Sequence, residues 1–277
     1  MKYVPKELRG NVNVSRTSPL KEFAILLGGI LGIVIVVYAA LGIALDLVVT
    51  SLPVSIEQKL GSLYSSVYED SEVTPAGTAL QLMLDRLAAE IPTNKDSVQP
   101  PPEYKIHIIA NTRENALALP GGNIVIFSAL VKGAGSKNEL AFVLAHELGH
   151  FANRDHLRGL GRRLVLLAAS AALFGGDSRV SGFIMNSLLS VEMKFSQHQE
   201  SAADLWALDL LNRRYGHVAG ATDFFKRMSK QENRGRFSYY FATHPFPENR
   251  IRTLEKKIEE KEYLLKDKTL LDAVFKN

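Results

Sequence analysis

Residues 23–45 read FAILLGGILGIVIVVYAALGIAL, 23 positions without a charge. In hydrocarbon every backbone polar group must be satisfied within the segment, so such a run folds as a helix. At 1.5 Å per residue it extends about 34 Å, enough to cross the apolar core of a bilayer. A cleaved leader is the alternative. Its apolar core would be too long, its preceding region too extended, and no small-x-small cleavage pattern follows. The run is therefore read as a retained anchor. Lys2, Lys6, Arg9, Arg16 and Lys21 precede it, while Asp46, Glu57, Glu69, Asp70 and Glu72 follow with Lys59 among them. The positive flank stays in the cytoplasm. The expectation is a single-pass protein of a bacterial inner membrane, N-terminus cytoplasmic and the rest periplasmic. Residues 1–22 form a cytoplasmic tail, 23–50 the anchor and 51–277 one folded domain. Gly28 and Gly32 make a GxxxG pattern compatible with a homodimer through the anchor.

The 277 residues, 46% of them hydrophobic, suffice for one sizeable domain beside that anchor. A net charge of +4 without a dense Lys/Arg patch among aromatics argues against nucleic acid as a partner. The chain has no cysteine, which excludes disulfides, thiol catalysis and Cys-ligated zinc. Thr74-Pro75 starts a helix that continues through Leu80, Met83, Leu84, Leu87 and Ile91. Residues 92–103, with three consecutive prolines, read as a loop. Tyr104–Ala110, Ala116–Leu119 and Ile124–Phe127 read as strands of a small antiparallel sheet. The apolar runs Leu164–Gly175 and Val180–Val191 are each too short to span a membrane. They read as a buried or partly exposed helical hairpin, with membrane-surface contact as the alternative. Lys194–Asn212 and a segment marked by Ile251, Leu254 and Ile258 complete an α+β, mainly α, fold.

Between Leu140 and Ala152 the only polar side chains are His146, Glu147 and His150. Leu140, Leu144, Leu148 and Phe151 form one apolar face, and Ala141, Ala145, Gly149 and Ala152 a second face of small residues. No solvated face remains, so the helix is buried, and burying unpaired ionisable groups is costly. A metal ion is the simplest partner. Ser136 through Glu139 fits a capping box, which starts the helix near 137 and lets it run to the Asn153–Arg154 region. His146 and His150, four apart, project from one side, and Glu147 can reach a water beside them. Downstream, Glu200 and Asp204 are also four apart on a small-residue helix able to pack closely. His146, His150 and Glu200 then make a His₂Glu zinc site with one open position. Asp204 can accept the spare N–H of a ligand histidine. Other readings stay open: a purely structural polar network, His198 or Asp204 as the third ligand, and Asp204 paired with Arg154.

Four ordered segments, NALALPGGNIVIF (115–127), AHELGHFANRDH (145–156), QESAADLWAL (199–208) and THPFPENRI (243–251), resemble the membrane-associated zinc metallopeptidases of the CAAX-prenyl-protease/HtpX/BepA type. The similarity covers roughly 55–265. It implies a zincin-type gluzincin domain with one Zn²⁺, Glu200 as third ligand, and a THP loop near the active site. Glu147 is then the general base of peptide hydrolysis. His244 is a candidate oxyanion donor, or an extra ligand that holds the resting enzyme shut. Arg250 is a candidate organiser of that loop. Asn115, Gly121, Gly122 and Ile124 are candidates for binding a polypeptide substrate, the last through β-addition to Ile124–Phe127. The chain lacks the TPR-type repeats of some members and the several spans of others. That favours single-domain envelope quality control over prenylated substrates. A catalytically weak zinc-fold chaperone and a small-molecule zinc amidohydrolase are the competing functions.

Overall fold

The computed structural model describes residues 18–71, 73–92, 103–189, 195–231, 244 and 247–276. The expected tail, most of the proline-rich loop and residues 243, 245 and 246 of the THP segment lie outside them. The chain divides into two compact units, Met1–Ala44 and Leu45–Asn277.

The first unit holds most of α1 (Pro19–Thr50), an exposed helix long and apolar enough to cross a membrane. It starts before and ends after the uncharged run. Nothing observed supports a dimer through Gly28 and Gly32.

The second unit opens with the last turn of α1, followed by α2 (Val54–Ser62), α3 (Ser65–Tyr68) and α4 (Pro75–Ala88). Thr74 caps α4, its hydroxyl accepting from the Gly77 amide at 3.0 Å, with Pro75 at the first helical position. Three strands follow: β1 (Lys105–Ile109), β2 (Ala116–Leu119) and β3 (Asn123–Phe127). After α5 (Ser128–Gly133) come α6 (Lys137–Ala152), α7 (Asp155–Phe174), α8 (Arg179–Leu189), α9 (Gln197–Tyr215), α10 (Asp223–Gln231), α11 (Pro247–Glu260) and a 3₁₀ turn at Ala273–Phe275.

The sheet corrects one expectation. Its order is β1-β3-β2, with β2 antiparallel to β3 but β1 parallel to it, so the sheet is mixed. Only the β2–β3 hairpin has a turn short enough to force antiparallel pairing. From β1 the chain skips the place that β3 later fills, forms β2, and turns back so that β3 lies between the two, parallel to β1. Both faces are covered. Ala116, Ala118, Ile124 and Ile126 join the main core with α4 and α6, while Leu117, Leu119, Val125 and Phe127 meet Tyr64, Leu160 and Phe195.

The hinge between α6 and α7 is Arg154, at φ 52° and ψ 32°. A non-glycine residue in this left-handed region costs roughly 1 kcal/mol or more. The Arg154 guanidinium offsets that by donating to the carbonyls of Val49 and Leu52 at 2.7 and 2.8 Å. The Asn153 side-chain amide nitrogen next to the bend is buried without a hydrogen-bond partner among the described residues, and α7 then leaves in a new direction with Asp155 and His156 buried in its first turn.

Candidate active site

α6 begins as expected. The Ser136 hydroxyl accepts from the Glu139 amide at 3.1 Å. Glu139 reaches one residue further back than a capping box requires, to the Gly135 amide at 2.8 Å, and its other oxygen takes Arg227. The helix is buried from Asn138 to Phe151. α9 packs on it at its small residues: a Cβ on Gly149 would stand 2.9 Å from the Cα of Ala203. That closeness brings Glu200 over the two histidines.

His146, His150, Glu200 and His244 each offer a ligand atom, and these atoms lie within 4.8 Å of one another. His146 Nε2 and His150 Nε2 are 3.1 Å apart. They stand 3.6 and 3.5 Å from the Glu200 carboxylate oxygens, and His244 Nδ1 is 2.9 Å from one of them. Tetrahedral zinc with bonds of about 2.0–2.1 Å sets its ligand atoms about 3.3 Å apart. The donor set and its spacing therefore fit that ion. All four side chains are buried.

The far nitrogens are also held. His146 Nδ1 lies 2.9 Å from Asp204, as the four-residue spacing implied. His150 Nδ1 lies 2.9 Å from Asp155 Oδ2. Asp155 was not singled out from sequence, although it directly follows the zinc-type helix. Its other oxygen accepts from Gln199 at 2.8 Å, and Gln199 is the capping-box residue of α9 one position before Glu200. The imidazoles are thus oriented by carboxylates on their outer nitrogens, as in metal sites where such a partner fixes the tautomer. Phe195, also unforeseen, stacks on His150 at 3.9 Å between centroids.

Arg250 is buried, donates to both Asp204 oxygens at 2.8 and 2.7 Å, and reaches Glu200 Oε2 at 2.5 Å. Its guanidinium also sits 4.2 Å over the Phe225 ring. Asp204 therefore pairs with Arg250 and His146, not with Arg154.

The electrostatics describe a site that wants a cation. Burial opposes charge on Glu200, but His244, Arg250 and His150 outweigh it and hold the carboxyl well below its usual range. Burial likewise opposes Asp204, and Arg250 and His146 keep it low. Burial pushes both histidines down, yet Asp155, Glu200 and Glu147 raise His150 to about 10. His146 stays depressed by burial, the neighbouring His150 and Arg250.

Glu147 is fully buried, and neither of its oxygens has a hydrogen-bond partner among the described residues.

The remaining candidates belong to the sheet and its turns. Asn115 is buried, its Oδ1 accepting from the Ala116 amide at 3.0 Å. Gly121 and Gly122 have φ of 82° and 80° and press against Gly61 and Glu103. A Cβ on Gly122 would collide with the Glu103 carbonyl, so the pair is explained by a tight turn and close packing. Ile124 is buried in the central strand, whose two edges are taken by β1 and β2. β-Addition to Ile124–Phe127 is thereby excluded. The position of that strand in the sheet, unlike its existence, was not legible from its residues.

Residues 78–258 match the family model described as Peptidase family M48, well over half of the chain. The chain belongs to peptidase family M48. Family M48 enzymes use zinc, and the buried His146, His150, Glu200 and His244 cluster is able to hold it. Among M48 relatives, the chain is similar to "Metalloprotease LoiP" of Escherichia coli, 32% identical over 188 residues, covering 64% of this chain and 70% of that one. It is 29% identical over 165 residues to "Mitochondrial metalloendopeptidase OMA1" of Schizosaccharomyces pombe, covering 57% and 48%. It is 25% identical over 215 residues to the "Beta-barrel assembly-enhancing protease" of Escherichia coli, covering 73% and 44%. The chain thus spans less than half the length of the last two.

Proposed function

We propose that the chain is a membrane-anchored zinc endopeptidase with one catalytic domain in residues 51–277. Its substrates in this reading are misfolded or misassembled envelope proteins. The N-terminus is cytoplasmic, and the catalytic domain lies on the other side of a bacterial inner membrane. The observation that carries the reading is Glu147, a buried carboxylate with no hydrogen-bond partner among the described residues, one position from His146 and three from His150. Leaving such a group unpaired is costly. A proton acceptor at a hydrolytic centre gives that cost a use.

His146, His150 and Glu200 would hold the ion, with Asp204 and Asp155 fixing the imidazole orientations. When bound, zinc supplies Lewis-acid activation of water and of the scissile carbonyl. Glu147 accepts the attacking water's proton on a carboxylate oxygen and returns it to the leaving amine. Arg250 keeps Glu200 and Asp204 charged and in place. The position of His244 inside the ligand cluster favours it as an extra ligand of a resting, closed state over a donor to the oxyanion. The name of the relative that enhances β-barrel assembly supports a substrate that is a protein in the course of assembly.

The test compares zinc content and casein cleavage by the full chain in detergent. Glu147→Gln is expected to keep about one zinc and to lose cleavage by roughly 10²–10⁴-fold. Glu200→Gln should lose zinc, and His244→Ala should cleave faster than wild type. A wild-type protein that binds no zinc under these conditions would sink the reading.

A further inference from the structure

The α7–α8 hairpin is built inside out relative to a helix pair in water. Between its helices lie hydroxyls. Ser170 and Ser181 are buried with their oxygens 3.0 Å apart, Ser181 also donates to the Gly175 carbonyl at 3.0 Å, and Ser170 reaches the Leu167 carbonyl at 2.9 Å. Its outside is apolar except at the turn, where Asp177 and Arg179 are exposed. Phe183 is 75% exposed, Leu173 69% and Phe174 62%, and Leu164, Leu166, Val180 and Met185 are exposed with them. No charge occurs from Leu164 to Gly176.

Two features select the occupant of this surface. The exposure is not confined to one side: Leu164 and Leu166 point about 200° apart on the helix. A protein partner covers one face of a hairpin, whereas a helix that is apolar all round and satisfies its polar groups internally suits hydrocarbon. The second is where the hairpin starts. α1 leaves the apolar run at Leu45, and there it meets α7. A Cβ on Gly161 would stand 2.4 Å from Leu45, Arg158 pairs with Asp46 at 3.1 Å, and Arg154 holds the Val49 and Leu52 carbonyls. As the α7 number rises, the number of its contact falls. α7 therefore runs antiparallel to residues 45–52, the end of α1 and the residues just after it, which belong to the second unit. Arg158, Arg162 and Arg163 stand just before the apolar stretch, the level at which basic side chains meet lipid headgroups.

We propose that the α7–α8 hairpin is a second membrane contact, with Leu173, Phe174, Val180 and Phe183 immersed among the acyl chains of the bilayer that α1 crosses. The uncharged part of α7, residues 164–174, is about 16 Å long against a core of about 30 Å, and Asp177 and Arg179 are exposed at the turn, so the hairpin lies in the surface layer of the bilayer with its charged turn at the headgroups and does not cross it. The inference rests on α1 being an anchor. It sets the start of α7, where Asp155 bonds His150, close to the membrane surface, which favours substrates that are membrane-attached or emerging from the bilayer.

The chain's lack of cysteine allows a direct test. Single cysteines at Phe174, Phe183, Val36 in α1 and exposed Lys256 in α11 are labelled with an environment-sensitive fluorophore. The full chain is reconstituted in phosphatidylcholine–phosphatidylglycerol vesicles, with and without lipids doxylated along the acyl chain. The expected result is blue-shifted emission and loss of intensity with doxyl lipid at Phe174, Phe183 and Val36, and neither at Lys256. Quenching at Val36 alone overturns the hairpin proposal and leaves the anchor intact. A blue shift at Phe183 without doxyl quenching also overturns it, because the hairpin is then covered by protein, such as a second copy. No quenching at Val36 removes the anchor and the proposal together.

Discussion

The α6–α9 pair and the α7–α8 hairpin use the same materials in opposite order. Between α6 and α9, ionisable groups are enclosed by apolar residues, and each is answered by a partner or, at Glu147, by none among the described residues. In the hairpin, a few hydroxyls are enclosed and the apolar residues face outward. The comparison teaches that apolar content alone does not say which side of a helix is covered. A run of Leu, Ala and Val is core in α6 and exposed surface in α7. The difference is set by what lies across from it, a close-packed α9 in one case and nothing within the described residues over much of the other.

The contrast can be broken at Gly149. Its replacement by Ala drives a Cβ into Ala203 and should destabilise the protein by about 1–3 kcal/mol, with weaker zinc binding because Glu200 rides on α9. Thermal unfolding with and without zinc checks both. Unchanged stability would mean that the α6–α9 contact is not tight.

Asp155→Asn sharpens the same side of the comparison. It removes the carboxylate behind His150 while keeping the shape and a hydrogen bond, and zinc affinity is expected to fall roughly 10–100-fold with the fold retained. Competitive zinc titration reads this. An unchanged affinity would reduce Asp155 to a helix-packing residue.

At the junction of the two regions, His156 in the first turn of α7 bonds Glu57 of α2 at 2.9 Å. Burial works against the Glu57 charge, but His156 and Arg154 outweigh it and hold the carboxyl below its ordinary 4.5. A depressed folded-state value contributes stability that is present above pH 4.5 and is lost as pH falls through the folded value. Glu57→Gln should therefore flatten the acid limb of the stability profile, and wild type and variant should converge at the lowest pH. Parallel curves would count against the pair.

The smallest effect belongs to the hairpin. Phe183→Ser removes an exposed apolar side chain and should move the unfolding midpoint in detergent by less than about 0.5 kcal/mol in stability terms. A loss comparable to Gly149→Ala would show the hairpin surface to be covered.

Much of the site is legible along the chain because its chemistry is local. His146 and His150 share a face by helical spacing, Ser136 and Thr74 announce helix starts, and Glu200 and Asp204 repeat the four-residue interval. The small residues of α6 even foretell the close approach that brings Glu200 in. Asp155 escaped notice because its role depends on the bend at Arg154, whose left-handed conformation no ordinary arginine pattern signals. Phe195 escaped because aromatic stacking leaves no spacing to read. The assignment of substrate pairing to Ile124 failed for a topological reason: alternation marks a strand but not its neighbours, and β1 entering parallel made β3 central.

The sequence by itself determined the uncharged run long enough for a bilayer, the buried helix with two histidines and a glutamate, and the helix that carries the third candidate ligand. These follow from periodicity and from the cost of burying charge, both read along one segment. Only the tertiary structure decided which strand is enclosed, which carboxylate stands behind which histidine, that His244 and Arg250 converge on Glu200, and that the hairpin turns its apolar side outward. Those depend on segments distant in the chain meeting at ångström separations, and such meetings are set by packing between elements, which no local pattern encodes.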